Sequence, residues 1–407
     1  MAEANEVNEV PNGFPGLNDA FVYQTMLTCI GNKRKLVGRI YNIIAQIRAS
    51  LGRPLALVDG FAGSTVVSRA LLPLCRVLYA NDLEHYSYLM ARCFLVMPSL
   101  ELQCVIQGHI RTMNHLAEHG PFVEGIICAQ YAPRVTEDVQ RGERCFYTRE
   151  NALIIDTLCA YLRGLGELRP YCLAPLLTRA SIHTNTAGVF KGFYKKDGVG
   201  HFGGSGENAL GRIMAPIRLD VPLWADEPNM AYEREVHCTQ MDVHELIAGL
   251  PEVDVMYLDP PYNQHPYGSN YFMLNVIAQA SNAVINEVTA INGVIENRDG
   301  FPVPPVPQQA VISAVSGIPV GWNKSRYNSR EAVVAMRELI EAGLRKARYL
   351  LISYNNEGII TADQWEELLR GYQVSVHEVP YDTYRGSRNL KERALKVVER
   401  MYLLWTF

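Results

Sequence analysis

Val253-Asp254-Val255-Met256-Tyr257-Leu258-Asp259-Pro260-Pro261-Tyr262 is the stretch whose residue types could do chemistry. An apolar, β-branched run ends abruptly in a carboxylate, two prolines and an aromatic ring. The run reads as a buried strand of a parallel sheet, and Pro260, lacking an N–H, cannot extend its ladder. Open α/β sheets place their ligands in the crevice beyond the carboxyl ends of such strands. Asp259 and Tyr262 are therefore expected to project from the rim of a sheet into a crevice. The competing reading is a plain Asp-Pro-Pro turn.

A second group of residues lies far upstream. Leu55-Ala56-Leu57-Val58 reads as a strand, Asp59-Gly60-Phe61-Ala62-Gly63-Ser64 as a tight glycine turn, and Val66, Val67 and Leu71 as the start of a helix. Small residues at such a turn let a ligand approach the backbone. The turn is neither GxGxxG nor a P-loop, because no Gly-Lys-Ser/Thr follows. Val77-Leu78-Tyr79-Ala80 forms the next strand, closed by Asn81-Asp82, and an acid at that place suits two ribose hydroxyls. The pair of signals reads as a site for an adenosine-containing cofactor. Ahead of both lies Cys29-Ile30-Gly31-Asn32-Lys33-Arg34-Lys35-Leu36, a glycine turn with lysines before an amphipathic helix, which suits an anionic group or a solvated helix start.

The elements that must position these residues follow from the rest of the chain. Its 407 residues allow one large core and a second compact unit. The formal net charge of −4 excludes a uniformly basic nucleic-acid coat but not a local basic cleft. The nine cysteines include no CxxC pair and no Cys/His cluster at metal spacing, so no metal site is expected. Cys29, Cys75, Cys93, Cys104, Cys159 and Cys172 sit among apolar neighbours and are expected to be buried. With no secretory signal and no bilayer-length apolar run, the chain reads as soluble, cytosolic and reduced.

Residues 1–20 read as an irregular lead-in. Between 85 and 235 helical stretches (Tyr86–Met97, Ala152–Leu165) alternate with polar segments over a domain-sized span. Within it Lys191, Lys195 and Lys196 interleave with Phe193 and Tyr194 beside the glycine-rich 198–206, a pattern suited to phosphate contacts and base stacking or to a solvated hairpin. Strands are expected again at Val236–Thr239, followed by Met241-Asp242, and at Tyr349–Tyr354, Val374–Val379 and Met401–Phe407. A helix is expected at about Arg330–Ala347, a capped helix at Thr361–Arg370 and a proline-rich loop at 293–312. Tyr267, Asn270 and Tyr271 are expected to rim the crevice. Arg385, Arg388 and Lys391 form a basic loop that could clamp a polyanion.

Taken together, these segments resemble the D12-class adenine-specific DNA methyltransferases, the family of the Dam-type enzymes, from about residue 25 to the end. Cys29–Lys33 resembles the family's Gly-x-Lys segment, Asp59–Ser64 its Phe-x-Gly cofactor loop, and Asp259-Pro260-Pro261-Tyr262 its catalytic tetrapeptide letter for letter. Two departures stand out: Cys29 where an aromatic is common, and Gly-Ser where Gly-x-Gly is often seen. The resemblance implies a Rossmann-like α/β methyltransferase sheet with helices on both faces, built from 21–84 and 236–407. The mainly helical insert 85–235 would then be the target-recognition domain. S-adenosylmethionine is the implied cofactor, bound by Lys33, Asp59, Phe61, Gly63, Asp82 and Asp242. Double-stranded DNA is the implied partner, with a cognate restriction endonuclease left open as a second.

By the same resemblance, the Asp259 carboxylate and the Pro260 carbonyl accept the two N–H bonds of the adenine amine, and Tyr262 stacks on the flipped base. Pro260 and Pro261 stiffen the turn. The rival functions are an RNA base methyltransferase and a non-catalytic DNA-binding relative. The whole reading requires the Asp59–Ser64 bend and Asp259 to line one cavity on neighbouring strands.

Overall fold

The computed structural model describes residues 14, 17–23, 27, 33–204, 209–225, 234–264, 266–282, 313, 316–382 and 396–405. Seven strands build one sheet: β1 (Leu55–Asp59), β2 (Cys75–Asp82), β3 (Glu235–Gln240), β4 (Val253–Leu258), β5 (Ala347–Asn355), β6 (Gln373–Asp382) and β7 (Lys396–Trp405). Their spatial order is β3-β2-β1-β4-β5-β7-β6. Strands β1 to β5 pair in parallel, and β7 runs antiparallel to both β5 and β6. All seven predicted strands are present; β7 begins earlier than expected, at Lys396.

Parallel strands need crossovers, and these cover both faces. On one face α1 (Val37–Leu51) and α2 (Val66–Leu71) pack on Leu55, Leu57, Val255, Tyr257 and Leu351. On the other, Val243–Gly249, Ala332–Leu344 and Ala362–Leu369 pack on Val58, Met256, Leu258, Leu350 and Ile352. Burial on both sides explains why β1 and β4 read as unbroken apolar runs. The carboxylate inside the β4 run, Asp254, is matched by a bidentate pair with Arg53 (2.6 and 2.7 Å) and by the Ala56 N–H at 2.9 Å. The helix at Ala362–Leu369 carries the expected cap: Thr361 and Gln364 form a reciprocal capping box.

A third core is helical. Helices at His85–Leu95, Leu100–His119, Ile126–Tyr131, Arg149–Leu162 and Arg169–Ile182 gather around Phe146, Tyr147, Leu158 and Leu176. Phe272–Ala280, from beyond the Asp259 turn, packs in the same cluster. Among the described residues no helix is long and apolar enough to cross a membrane.

One expectation needs correction. Cys104 is exposed, not buried. Its helix turns Ile106, Ile110, Met113 and Ala117 inward, and Cys104 falls two residues before that stripe, on the outer side with half-exposed Val105. Around 198, where a solvated hairpin is one of the two readings, Val199–Gly200 pairs with the exposed Lys195–Lys196 in a short antiparallel ribbon, and a Cβ at Gly200 would lie 2.5 Å from Cys145 Sγ. Cys29 lies outside the described residues.

The loop after β1 explains one departure from the family pattern. Gly60 donates to the Tyr257 carbonyl (3.0 Å), and a Cβ there would meet Leu258 at 2.8 Å. Gly63 has φ +50°, and Thr65, fully buried, has φ 66°. A β-branched residue in the left-handed region is strained by about 1–2 kcal/mol. Thr65 sits where the Gly-x-Gly pattern would supply glycine. Thr65→Gly is therefore expected to cost less than about 0.5 kcal/mol in urea unfolding, although it deletes a buried side chain, because relief of strain offsets the lost packing. A loss of about 2 kcal/mol or more would contradict this.

Candidate active site

The strand order reverses between β1 and β4, so their connections leave in opposite directions and open a crevice. The register Val58↔Met256, Asp59↔Tyr257 brings the ends of the two strands level. A cleft of about 980 Å³, counted to its open mouth, follows. Asp59, Phe61 and Gly63 line it from the β1 loop, Asp82 and Glu84 from the end of β2, and Asp242 from the end of β3. Lys33, Asp259 and Pro261 complete it from the other side. The bend and the double-proline turn do line one cavity on neighbouring strands.

Asn81 ties the three strand ends together. Its side-chain N–H groups reach the carbonyls of Gly60 (3.3 Å) and Met241 (3.1 Å), and its Oδ1 accepts from Thr239 Oγ1 at 2.8 Å. Asp82 braces the glycine loop: Oδ2 accepts the Gly63 N–H (2.8 Å) and Oδ1 the Glu84 N–H (2.9 Å). Asp59 is fully buried and accepts from Ser68 Oγ at 2.6 Å. Asp242 caps the helix Val243–Gly249 through the His244 N–H (2.8 Å). Phe61 meets Tyr327 edge-on, with ring centroids 5.6 Å apart, and the Tyr327 hydroxyl lies 3.0 Å from His244 Nε2.

The opposite wall is a charge cluster. Lys33 Nζ, buried, lies 2.8 Å from Asp259 Oδ1 and 3.2 Å from Glu399 Oε1, and 5.7 Å from the centre of the Tyr262 ring. Burial opposes the Lys33 charge, but Asp259 and Glu399 outweigh it and hold its pKa well above the ordinary value. Burial pushes Asp259 up to about 6, opposed by Lys33 and reinforced by Glu399. Burial likewise pushes Asp59 and Glu84 to about 7, and Asp82 upward. Four carboxyls with raised pKa values around one cleft mark a site that expects a cation or a polar donor.

Pro260 is buried behind the turn, and Tyr262 is anchored by it: the Tyr262 carbonyl accepts the Ile359 N–H at 2.8 Å, and its ring packs edge-on to Tyr354. Neither is among the residues that line the cleft. Of the expected rim, Tyr267 lines it, but Tyr271 is 2% exposed and packs in the helical core, and Asn270 is buried beside it. The two rings touch, with centroids 5.6 Å apart, so Tyr271 lies behind Tyr267 in the helical core, and of the three expected rim residues Tyr267 is the one that lines the cleft.

Lys191, Lys195 and Lys196 are exposed, the latter two on the short ribbon, and none lines the cleft. Lys195 lies over the Phe193 ring at 5.0 Å. The segment before them is fixed to the turn beside the cleft by the Phe190 N–H, which donates to the Asn270 carbonyl at 2.7 Å. Arg385 and Arg388 lie outside the described residues, as do 293–312.

Sequence reasoning missed Glu84, Tyr327 and Glu399. Glu84 carried a signal, an acid two residues past Asp82 at a strand end. Glu399 did too: it alternates with Val397 and Met401, so it is a carboxylate in the buried phase of a strand. Tyr327 carried none, because its segment has no motif.

A family model described as D12 class N6 adenine-specific DNA methyltransferase matches residues 30–294. The chain is 24% identical to the type II methyltransferase M.NlaIII of Neisseria lactamica, over 92% of this chain and 98% of that one. It is 26% identical to the type II methyltransferase M.CviAII of Paramecium bursaria Chlorella virus 1, over 84% and 87%. It is 23% identical to the modification methylase StsI of Streptococcus sanguinis, over 90% of this chain and 50% of that protein. With the family model covering well over half of the sequence, and its tetrapeptide standing at the mouth of the β1–β4 crevice, the chain belongs to the D12 class of N6 adenine-specific DNA methyltransferases.

Proposed function

We propose that this chain transfers a methyl group from S-adenosylmethionine to the N6 amine of an adenine in duplex DNA, with Asp259, Pro260, Pro261 and Tyr262 as the catalytic turn. The observation that carries this is the single cleft joining the Asp59–Ser64 loop to Asp259. The cofactor would supply a methyl group activated by its sulfonium charge. The residues present fit it: Asp82 and Glu84 offer carboxylates for ribose hydroxyls, Phe61 and Tyr327 an apolar wall for a purine, and Asp59 and Asp242 further acceptors.

The adenine amine is a poor nucleophile, because its lone pair is drawn into the ring. Asp259 Oδ1 is occupied by Lys33, which leaves Oδ2, with the Pro260 carbonyl, to accept the two amine N–H bonds. That arrangement aims the nitrogen and supports the positive charge developing on it. Tyr262, held by Tyr354 and Ile359, would stack on a base rotated out of the duplex. The helical segment 85–235, with Lys191, Lys195 and Lys196 on its surface, would bind the DNA and read the target. The names of relatives such as the modification methylase StsI suggest a modification role, and our reading adds a cognate restriction endonuclease and a cytoplasmic location.

Three outcomes test this reading. Asp259→Ala is expected to lower methylation of duplex DNA at least 100-fold while cofactor binding stays measurable; long-read sequencing of DNA from expressing cells should show N6-methyladenine with the wild type alone. Transfer to structured RNA and not to DNA would overturn the substrate. Asp82→Ala is expected to weaken cofactor binding by about 10- to 100-fold, read by calorimetry, since it removes charge-assisted hydrogen bonds worth about 1.5–3 kcal/mol. An unchanged affinity would remove Asp82 from the ribose.

The third concerns pH. With Asp259 at about 6 and Asp59 and Glu84 at about 7, these groups are neutral at low pH and ionise across that window. A cation binds the ionised form better, so affinity for S-adenosylmethionine should rise from pH 5.5 to 7.5, with proton release on binding. The affinity of S-adenosylhomocysteine, which lacks the sulfonium charge, should rise less. Equal pH dependence of the two would count against carboxylates facing the sulfonium.

A further inference from the structure

Glu399 is a fully buried carboxylate on β7, two strands away from β4. Oε1 accepts from Ser353 Oγ of β5 at 2.7 Å and lies 3.2 Å from Lys33 Nζ, while Oε2 has no hydrogen-bond partner among the described residues. Burying a carboxylate is costly, and an apolar residue would continue the Val397, Met401 stripe at no such cost. The catalytic turn does not account for it.

Its position relative to Asp259 does. Lys33 lies between the two carboxylates, 2.8 Å from one and 3.2 Å from the other. Were Lys33 and Asp259 alone, the ammonium would be the counter-ion of Asp259 and would quench the charge that the amine must meet. A second anion behind Lys33 balances the ammonium from the rear. Lys33 and Asp259 both line the cleft, and Asp259 is the carboxylate of the cluster that does.

We infer that Glu399 is a positioning residue for methyl transfer: through Lys33 it fixes the Asp259 carboxylate and preserves its strength as an anionic acceptor for the adenine amine. This rests on the reading of Asp259 as that acceptor. The titratable groups that face Asp259 are Lys33, Glu399, Asp59 and the phenols of Tyr257, Tyr262 and Tyr267. The phenols are held neutral by burial. Among the described residues, Glu399 is a second carboxylate within ion-pair distance of the Lys33 ammonium, beside Asp259.

The test begins without cofactor or DNA. Carboxyl carbon NMR on protein labelled at aspartate, with Asp259 assigned by the signal lost in Asp259→Asn, reads the Asp259 titration directly. Glu399→Gln keeps the shape and an acceptor oxygen but removes the charge. The midpoint of Asp259 is expected to fall by about one pH unit, because the like charge that raises it has gone. Steady-state kinetics on the same variant should show kcat for duplex methylation down about tenfold, with KM for the cofactor changed less than about threefold, and Glu399→Asp should recover part of kcat. A midpoint that does not move, or a kcat that does not fall, overturns the proposal. So does a fall in kcat with the midpoint in place, which would make Glu399 a packing residue only. Asp259→Asn retaining methylation would instead sink the underlying reading of Asp259, whatever Glu399→Gln does. If Glu399→Gln fails to fold by circular dichroism, Ser353→Ala is measured in its place. Removing the Ser353 hydroxyl takes away one of the two partners that hold Glu399 Oε1 in place against Lys33, so the Asp259 midpoint should move by a smaller step than in Glu399→Gln, and no movement overturns the proposal.

Discussion

Parallel pairing of β1 with β4 places the carboxyl ends of two strands, far apart in the chain, side by side at one edge of the sheet. Two chain segments must leave those ends in opposite directions, and neither can fill the gap between them. The glycine loop and the double-proline turn are each a way of leaving a strand without closing that gap. Gly60 lies so near Leu258 that no side chain fits, and Pro260 ends the β4 ladder. The cleft is a consequence of how the sheet is connected, and the side chains that line it are those that happen to stand at strand ends.

The charged side chains that line that cleft are five carboxylates and one lysine. Carboxyls from β1, β2, β3 and β4 all face or border it, and burial holds several of them above their usual range. Only one lysine among the lining residues answers them, and it is shared between Asp259 and Glu399. A pocket so charged is poorly matched to an anionic ligand and well matched to one bearing positive charge. The same surplus would suit Asp259 to the acceptor role proposed for it, because its counter-ion Lys33 is shared with Glu399.

The helical core is a mass of apolar packing bound to the edge of the cleft at several places, among them Ser87 Oγ, which donates to the Gly63 carbonyl at 2.7 Å. Phe272–Ala280 leaves the cleft and buries Phe272, Met273 and Ile277 among the helices, and the Phe190 N–H returns to the Asn270 carbonyl. The segment that carries Tyr267 is therefore held by the helical mass as well as by the sheet. Whatever surface touches the substrate outside the cleft is rigidly tied to the turn that would act on it.

The sequence by itself determined the strands, because buried β-branched runs ending in Gly, Asn-Asp or Asp-Pro-Pro have few other meanings. It also determined that Asp59, Asp82 and Asp259 would stand at strand ends. These are local facts, set by periodicity and turn chemistry over a few residues. Tertiary structure alone decided the strand order, which depends on non-local pairing, and so decided that Glu399 on β7 would reach Lys33 near the chain start. It alone put Tyr267 in the lining of the cleft and Tyr271, against the same ring, in the helical core. It also brought in Tyr327, whose surroundings name no function until β1 and the Val243–Gly249 helix pack against it. Charge balance is the clearest case: a residue's ionisation depends on which neighbours share its burial, and no spacing along the chain records that.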